Sequence, residues 1–416
     1  MPHATGSLVP RDTATSPGSQ WNASLEERAA GRARAYAPNL TPQFSVLRPH
    51  CAAKLRLTVW RPEGPRKFLD SEGNPFVVTE DEAERLLNII SHSYADDTLV
   101  TYASGLLVYH VFCDSRGVPE AQRAPASPDL IAIFVATIAG SYSGSTITNY
   151  LAGIRAWHII HGVKWQMDKN SLDAIVKGAT KHAPETSKRK QRQPYTVEFI
   201  STLREGLDLA IPLDAAVYAC LTTTFYGSAR LGEFTVPSLN GFNPRKHITL
   251  ANVAWDKEDR QGFKVTQFFV PQTKTSANGE TVYWATQEGV TDPDAAIKNH
   301  IRVNSPAQTD HLFAYKHTDR GGKVSSRPLT KTAFLTRVRK AAMDRGLEPL
   351  QGHGIRIGGT LEYLLRGLSF ETVKAKGRWA GDSFLRYLRK HALIMAPYMQ
   401  AQLQQEFIAY TMPPAR

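Results

Sequence analysis

Between residues 78 and 182, apolar residues recur at the three- and four-residue spacing of helices that bury one face. Thr79 followed by Glu82 is the signature of a capping box at a helix N-terminus. Ser127 before Pro128 likewise predicts an N-cap and the first residue of a helix. The helices expected here begin near residue 79, span 97–113, begin at 128, and span 145–161 and 171–182. This half of the chain is predicted to form a helical bundle.

The pattern changes in the second half of the chain. After helices expected over 197–209 and 213–226, three runs rich in β-branched and aromatic residues follow. These runs, "ITLANVAW", "FKVTQFFVP" and "TVYWAT", are separated by the polar turns "DKEDRQG" and "TKTSANGE" and predict a three-stranded antiparallel sheet. Helical patterns resume in "LTKTAFLTRVRKAAMDRG", after His353, and in "GRWAGDSFLRYLRKH". The second domain is therefore predicted to be mainly α-helical with one small antiparallel sheet.

A basic segment, "APETSKRKQRQPY", separates the two halves and is bracketed by prolines. It is expected to be a linker that contacts phosphates or serves in nuclear import, although a merely solvated linker is the alternative. Its cations are Lys188, Arg189, Lys190 and Arg192. The first forty residues lack apolar periodicity, which predicts a disordered tail. The predicted division is a tail (1–40), a helical domain (41–183), a basic linker (184–194), a second domain (195–399) and a C-terminal tail (400–416).

The composition adds a partner and a compartment to this picture. A formal net charge of +12 over 416 residues favours a polyanion such as DNA or RNA. Three cysteines, too far apart for a CxxC site, indicate neither a disulfide framework nor a metal site and fit a reducing intracellular compartment. No apolar run approaches the roughly 18–20 residues of a membrane span, and the N-terminus lacks the apolar core of a signal peptide. The protein is expected to be soluble.

Two short motifs in the second domain carry candidate chemistry. In "GSARLGEF", Arg230 lies just past an apolar helix with Glu233 three residues on, which is also the pattern of a buried structural ion pair. In "PQTKTSANGE", Lys274 lies in the turn between the second and third predicted strands, where a solvated turn residue is the alternative.

Two further motifs lie near the C-terminus. In "GHGIRIGGT", His353 and Arg356 are three residues apart at a glycine-flanked helix start, so their side chains are expected to point the same way. An ordinary helix cap is the alternative. The stretch "GRWAGDSFLRYLRKH" holds Trp379 and Tyr387, either as aromatic anchors of a basic surface helix or as reagents.

Together these residues suit phosphodiester transfer. Arg230, Arg356 and His353 are donors able to hold the charge that develops on the non-bridging oxygens of a phosphate. A tyrosine hydroxyl has an ordinary pKa of about 10, so Tyr387 needs neighbouring cations or a base to act as a nucleophile. Lys274, on a mobile turn, is suited to protonate an alkoxide leaving group. The cations near Tyr387 in the sequence are Arg378, Arg386, Arg389 and Lys390.

In this order, "ARLGE", "TKT", "GHGIR" and "GRWAGDSFLRY" resemble the active-site boxes of the tyrosine recombinases. The resemblance covers residues 194–400, and the preceding bundle fits the family's helical, SAM-like core-binding domain. The motif "GRWAGDSFLRYLRK" resembles most the Crypton-type recombinases of eukaryotic mobile DNA elements. The resemblance implies an α+β tyrosine recombinase catalytic domain after the helical domain.

The resemblance also implies roles for the phosphate-binding residues. Arg230 and Arg356 would clamp the scissile phosphate, and His353 would handle a proton and stabilise charge. Lys274 would be the general acid for the 5′ oxygen. Glu233 matches an acidic position interpreted as structural, orienting a group of the active site.

Tyr387 would attack the phosphate to give a 3′-phosphotyrosyl link, and Trp379 would pack beside the phosphate and donate its indole N–H. Because the link stores the phosphodiester energy, the resemblance implies no cofactor, neither ATP nor a metal. Trp379 and Tyr387 are eight residues apart in this sequence, whereas the family spacing is nine. The loop "AGDS" is thus one residue short.

The sequence therefore predicts a site-specific DNA recombinase or transposase in the nucleus that clamps double-stranded DNA and assembles as a dimer to tetramer. Its C-terminal tail, with Leu403, Phe407 and Ile408 on one possible helix, is expected to dock on a neighbouring protomer. Two alternatives stay open at this point. A type IB topoisomerase shares the chemistry without exchanging partners, and a domesticated DNA-binding protein would have lost catalysis.

Overall fold

The computed structural model describes residues 34–64, 66–188, 190–258, 260–387, 392–394 and 396. The chain separates into two compact units, residues 1–190 and 191–416, and each is described by itself. Among the helices of the described residues, none combines the length and apolar character needed to cross a lipid bilayer.

Unit 1 is helical. Thr79 caps its second helix with the predicted capping box, because its side chain accepts from the Glu82 amide while the Glu82 carboxylate accepts from the Thr79 amide. Ser127 also caps as predicted, since its hydroxyl accepts from the Leu130 amide. Both predictions are confirmed. The helices are α1 Arg56–Val59, α2 Glu80–Ser91, α3 Asp96–Ser115, α4 Glu120–Arg123, α5 Pro128–Ile138, α6 Gly144–Ile160 and α7 Lys169–Lys181.

The core of unit 1 lies between α3 and α6, which pack along much of their lengths. Their apolar faces and those of α1 and α5 bury large rings, among them Trp60, Tyr109, Phe134 and Trp157. Tyr36 and Leu40 pack against this core. These two residues belong to the predicted tail 1–40, of which residues 1–33 lie outside the described part of the chain.

Unit 2 combines helices with two small sheets. The predicted three-stranded antiparallel sheet is confirmed, in the order β1-β2-β3, with β2 central. Its strands are β1 Val253–Glu258, β2 Lys264–Val270 and β3 Glu280–Ala285. The helices of this unit are α8 Val197–Arg204, α9 Pro212–Tyr226, α10 Pro293–Asn304, α11 Lys331–Asp344, α12 His353–Leu365 and α13 Phe370–Lys376.

Two elements of unit 2 were not predicted. A hairpin, β4 Tyr315–Thr318 with β5 Val324–Arg327, adds a second sheet to the single one expected. Its second strand is exposed along most of its length and so lacks the alternation of apolar and polar residues that identifies a strand. Helix α10 does carry a signal, because Asp292 caps it and Pro293 occupies its first position.

The centre of unit 2 is α9, which is buried along every residue from Asp214 to Tyr226. It packs against α10, α12 and the sheet, and this packing fixes the position of its C-terminus within the unit. The last segment differs from its prediction, because "GRWAGDSFLRYLRKH" is expected to be a basic helix. The structure instead places a 3-10 helix at Asp382–Tyr387, in which Phe384 is buried. Residues 388–391 and the predicted C-terminal docking helix lie outside the described residues.

Candidate active site

Arg230 follows α9 by a short turn and begins the 3-10 helix Leu231–Glu233. Its backbone amide donates to Glu233 Oε2 at 3.0 Å, and its Nη1 donates to Glu233 Oε1 at 3.0 Å. Glu233 is 7% exposed, whereas the Arg230 side chain is 27% exposed. The buried carboxylate therefore holds a guanidinium that still faces solvent, and the role of Glu233 in orienting a group of the active site stays a prediction.

His353 is the first residue of α12, and Arg356 lies one turn later. Helix α12 reaches this place through close backbone packing. A Cβ at Gly358 would lie 2.0 Å from the Tyr195 carbonyl oxygen, so only glycine permits the approach. Arg356 is buried in consequence, with 1% of its surface exposed, and His353 is half-buried.

Gly377 and Trp379, which follow α13, hold the guanidinium of Arg356. Its Nη2 donates to the Gly377 carbonyl at 2.5 Å, and its Cζ lies 4.4 Å from the ring centroid of Trp379. Its Nη1 is buried and has no partner among the described residues. A buried unpaired guanidinium N–H is costly, so Arg356 has a donor left for a ligand.

Tyr387 ends the 3-10 helix Asp382–Tyr387 and packs on His353 and Trp379. Its ring centroid is 5.1 Å from that of His353 and 5.8 Å from that of Trp379.

A cationic cleft of about 460 Å³ opens beside these residues. Arg230 and Arg356 lie along it with His353, and the first turns of α11 form another wall. Its polar and charged lining residues are Arg192, Arg230, Lys331, Arg339, Gln351, His353 and Arg356. Within the part of the chain that the structure describes, no carboxylate lines the cleft. The cleft is therefore suited to an anion.

The charges of the cleft perturb its own titrating groups. Burial, followed by the positive charge of Arg230, lowers the pKa of Arg356 to about 10, so this guanidinium stays protonated near neutral pH. Burial and then the charges of Arg192, Arg356 and Arg230 lower the pKa of His353 below its ordinary 6.5. His353 is neutral at pH 7 in consequence and able to accept a proton.

Lys274 is not among the residues that line the cleft. As predicted, it occupies the turn between β2 and β3, where it is exposed. It makes no hydrogen bond or ion pair with any described residue. Its role as a proton donor stays a prediction.

The basic linker contributes unevenly. Arg192 lines the cleft, and its Nε donates to Gln351 Oε1 at 3.1 Å. Lys188 is exposed and pairs with Glu185 at 2.6 Å, and Lys190 is exposed. Arg189 lies outside the described residues.

Two lining cations were not predicted from the sequence. Lys331 and Arg339 lie on one face of α11, with Leu335 between them at four-residue spacing. That spacing is visible in "KTAFLTRVR", but it gives no sign of which face meets the cleft.

Because Gly377 has no side chain, the Trp379 ring can pack against it while stacking on Arg356. A Cβ at this position would lie 1.6 Å from a carbon of the Trp379 ring. We expect Gly377→Ala to lower the free energy of unfolding by about 1–3 kcal/mol through overpacking, measured by chemical denaturation. Gly381→Ala is the matched control, since its Cβ would meet nothing within 4 Å and should change stability by less than about 0.5 kcal/mol. Equal losses in both variants would contradict this role of Gly377.

Comparison with known proteins found similarity among solved structures only. No protein-family model and no curated protein sequence matches the chain. The chain is similar to the solved structure of the XerH site-specific recombinase bound to a palindromic difH substrate in a post-cleavage complex. The two are 13% identical with a TM-score of 0.47, over 78% of this chain and 85% of that chain.

Two further solved structures are similar over comparable lengths. A lambda integrase dimer bound to a COC′ core site is 14% identical with a TM-score of 0.41, over 76% of this chain and 78% of that chain. An FLP recombinase–Holliday junction complex is 12% identical with a TM-score of 0.31, over 73% and 78%. All three TM-scores lie below 0.5, so the function of the site rests on its own residues.

Proposed function

We propose that the protein is a tyrosine recombinase that cuts and rejoins double-stranded DNA through a 3′-phosphotyrosyl intermediate. The observation that carries the proposal is the packing of Tyr387 on His353, at a cleft that also holds Arg230 and Arg356. A tyrosine, a neutral imidazole and two guanidiniums are the parts that phosphate attack by a phenol requires.

The chemical steps balance without a redox partner. Tyr387 Oη attacks the phosphorus and its proton passes to a base, for which neutral His353 is the nearest candidate. The bond from phosphorus to the 5′ oxygen breaks, and Lys274 protonates that oxygen. Arg230 and Arg356 hold the non-bridging oxygens, where negative charge increases in the transition state. Attack by another 5′ hydroxyl reverses the steps, so no nucleotide cofactor is consumed.

The proposed partner is double-stranded DNA, and the proposed assembly is a dimer to tetramer on paired sites. Support for DNA comes from the net charge of +12 and from the cationic cleft. The motif "GRWAGDSFLRYLRK" supports the narrower proposal of a Crypton-type recombinase that integrates or excises a mobile element. The basic segment around Lys188 supports a nuclear location.

Covalent capture on random-sequence DNA tests this function and identifies the DNA site in the same experiment. The protein is incubated with random-sequence duplexes that carry one nick, so that cleavage near the nick releases a short strand and traps the intermediate. Adducts that survive denaturant are recovered and sequenced. We expect them to share one sequence, to resist 3′→5′ exonuclease and to be digested by 5′→3′ exonuclease.

Plasmids bearing the recovered sequence then separate the rival functions. A recombinase exchanges strands between two copies of the site. A type IB topoisomerase would relax any supercoiled plasmid and yield no exchange product. DNA binding with no adduct on any duplex would contradict the proposal and leave a non-catalytic DNA-binding protein.

A further inference from the structure

Arg378 connects two parts of the site that are distant in sequence. Its Nη2 donates to Glu233 Oε2 at 2.6 Å, and its Nη1 donates to Glu280 Oε2 at 3.1 Å. Glu233 is the carboxylate that holds Arg230. The Arg378 guanidinium therefore bridges two carboxylates. One is that of Glu233, which holds Arg230, and the other is that of Glu280 at the start of β3.

Glu280 in turn holds the turn that carries Lys274. Thr273 Oγ1 donates to Glu280 Oε2 at 2.6 Å, and Thr275 Oγ1 donates to the same oxygen at 3.1 Å. These two threonines flank Lys274. The turn is closed by a further bond from the Thr273 amide to the Ser276 carbonyl at 2.9 Å. The side chains on both sides of Lys274 are thus tied to one carboxylate, while the lysine side chain stays exposed.

The charges of Glu280 and Arg378 stabilise each other. Burial alone would raise the pKa of Glu280, but the hydrogen bonds from Thr273 and the charge of Arg378 hold the pKa below its ordinary value. Glu280 is therefore ionised at neutral pH. The Arg378 side chain is 11% exposed, and removing one partner would leave a largely buried charge uncompensated.

The backbone at Arg378 indicates that this junction is held against local strain. Arg378 has a φ of 58°, in the left-handed region that residues with a Cβ seldom adopt. Such a conformation costs on the order of 1–2 kcal/mol. Two carboxylate contacts from one side chain offset that cost and require this position of the guanidinium.

We propose that Arg378 and Glu280 are positioning residues that fix the Lys274 turn relative to Arg230 and Glu233. The proposal rests on the proposed function, with Lys274 as the proton donor to the leaving 5′ oxygen. A general acid works only within hydrogen-bond reach of the atom that it protonates. A lysine on an unrestrained turn would reach that atom only part of the time.

A substrate with sulfur in place of the leaving 5′ oxygen isolates this role. A thiol has a pKa of about 8.5, so a thiolate departs without a proton donor, unlike an alkoxide. We expect Lys274→Ala to slow adduct formation on the oxygen substrate by about 10²-fold or more and to leave the sulfur substrate nearly unaffected. The rates of Lys274→Ala on the two substrates show the effect expected when the proton donor is lost.

Glu280→Ala is expected to show the same pattern with a smaller loss, about 10-fold or more on the oxygen substrate. Near-native cleavage of the sulfur substrate shows at the same time that the variant is folded. Glu288→Ala, an exposed glutamate just past β3, is the matched control and should cleave both substrates at the native rate. Arg378→Lys, which keeps one charge but loses the fork, should slow the Glu280→Ala variant by less than it slows the native protein, because the two residues share one contact.

The outcomes separate the two proposals. Equal slowing of both substrates by Glu280→Ala, no slowing at all, or full additivity with Arg378→Lys would overturn the positioning role. Equal slowing of both substrates by Lys274→Ala would do the same, while the native adduct would still support the recombinase. Absence of a native adduct on both substrates would instead refute the proposed function itself.

Discussion

Tyr387→Phe is expected to reduce the covalent adduct with DNA to an undetectable level while changing the affinity for duplex DNA by no more than about twofold. The substitution removes the hydroxyl that attacks phosphorus and keeps the ring that packs on His353 and Trp379. Affinity is expected to survive because phosphate contacts by cations supply most of it. Adduct yield after denaturation and a binding isotherm at fixed salt measure the two effects.

Tyr283→Phe is the matched control. Tyr283 lies on β3, is 41% exposed and, like Tyr387, would lose only a hydroxyl. Its adduct yield should equal that of the native protein. An adduct that persists in Tyr387→Phe would show that another residue is the nucleophile.

Arg356→Lys is expected to slow adduct formation by about 10²–10³-fold, the usual cost of removing one preorganised donor to a developing charge. An ammonium cannot both donate to the Gly377 carbonyl and offer a second N–H in the plane that a phosphate requires. The planar stacking against Trp379 would also be lost. Single-turnover cleavage of a nicked duplex measures the rate, and chemical denaturation checks that the variant is folded.

Arg366→Lys, at the opposite end of the same helix, is the matched control. Arg366 follows α12, where its side chain is 38% exposed, pairs with Glu362 at 2.8 Å and donates to Gln287 Oε1 at 2.7 Å. Its substitution should leave the cleavage rate within about twofold of native, because exposed ion pairs contribute little. Similar losses in both variants would mean that the effect arises from α12 as a whole rather than from the phosphate site.

Local signals account for what the sequence could predict of the fold. The capping box at Thr79 and the N-cap at Ser127 are complete within four residues, so the sequence contains the whole interaction. The strands of the first sheet lie in runs rich in β-branched and aromatic residues, and β2 and β3 also alternate buried with exposed residues. Strand β5 has no such alternation, since it is exposed along most of its length.

In the candidate site, too, contacts between residues close in sequence could be predicted and contacts between distant residues could not. Arg230 and Glu233, or His353 and Arg356, are neighbours in sequence and could be paired by spacing alone. The two contacts of Arg378 join it to residues 145 and 98 positions away, and no local pattern predicts them. The change from a helix to a 3-10 turn before Tyr387 likewise depends on the packing of Phe384 and Trp379.

The central claim is that Tyr387 becomes covalently attached to DNA, and mass spectrometry of the DNA-linked peptide tests it most directly. The trapped adduct is digested with a nuclease and a protease, and the residue that carries the remaining nucleotide is identified by fragmentation. We expect a single modified residue, Tyr387, linked through a 3′ phosphate. A nucleotide on any other residue, or a link through a 5′ phosphate, would contradict the claim.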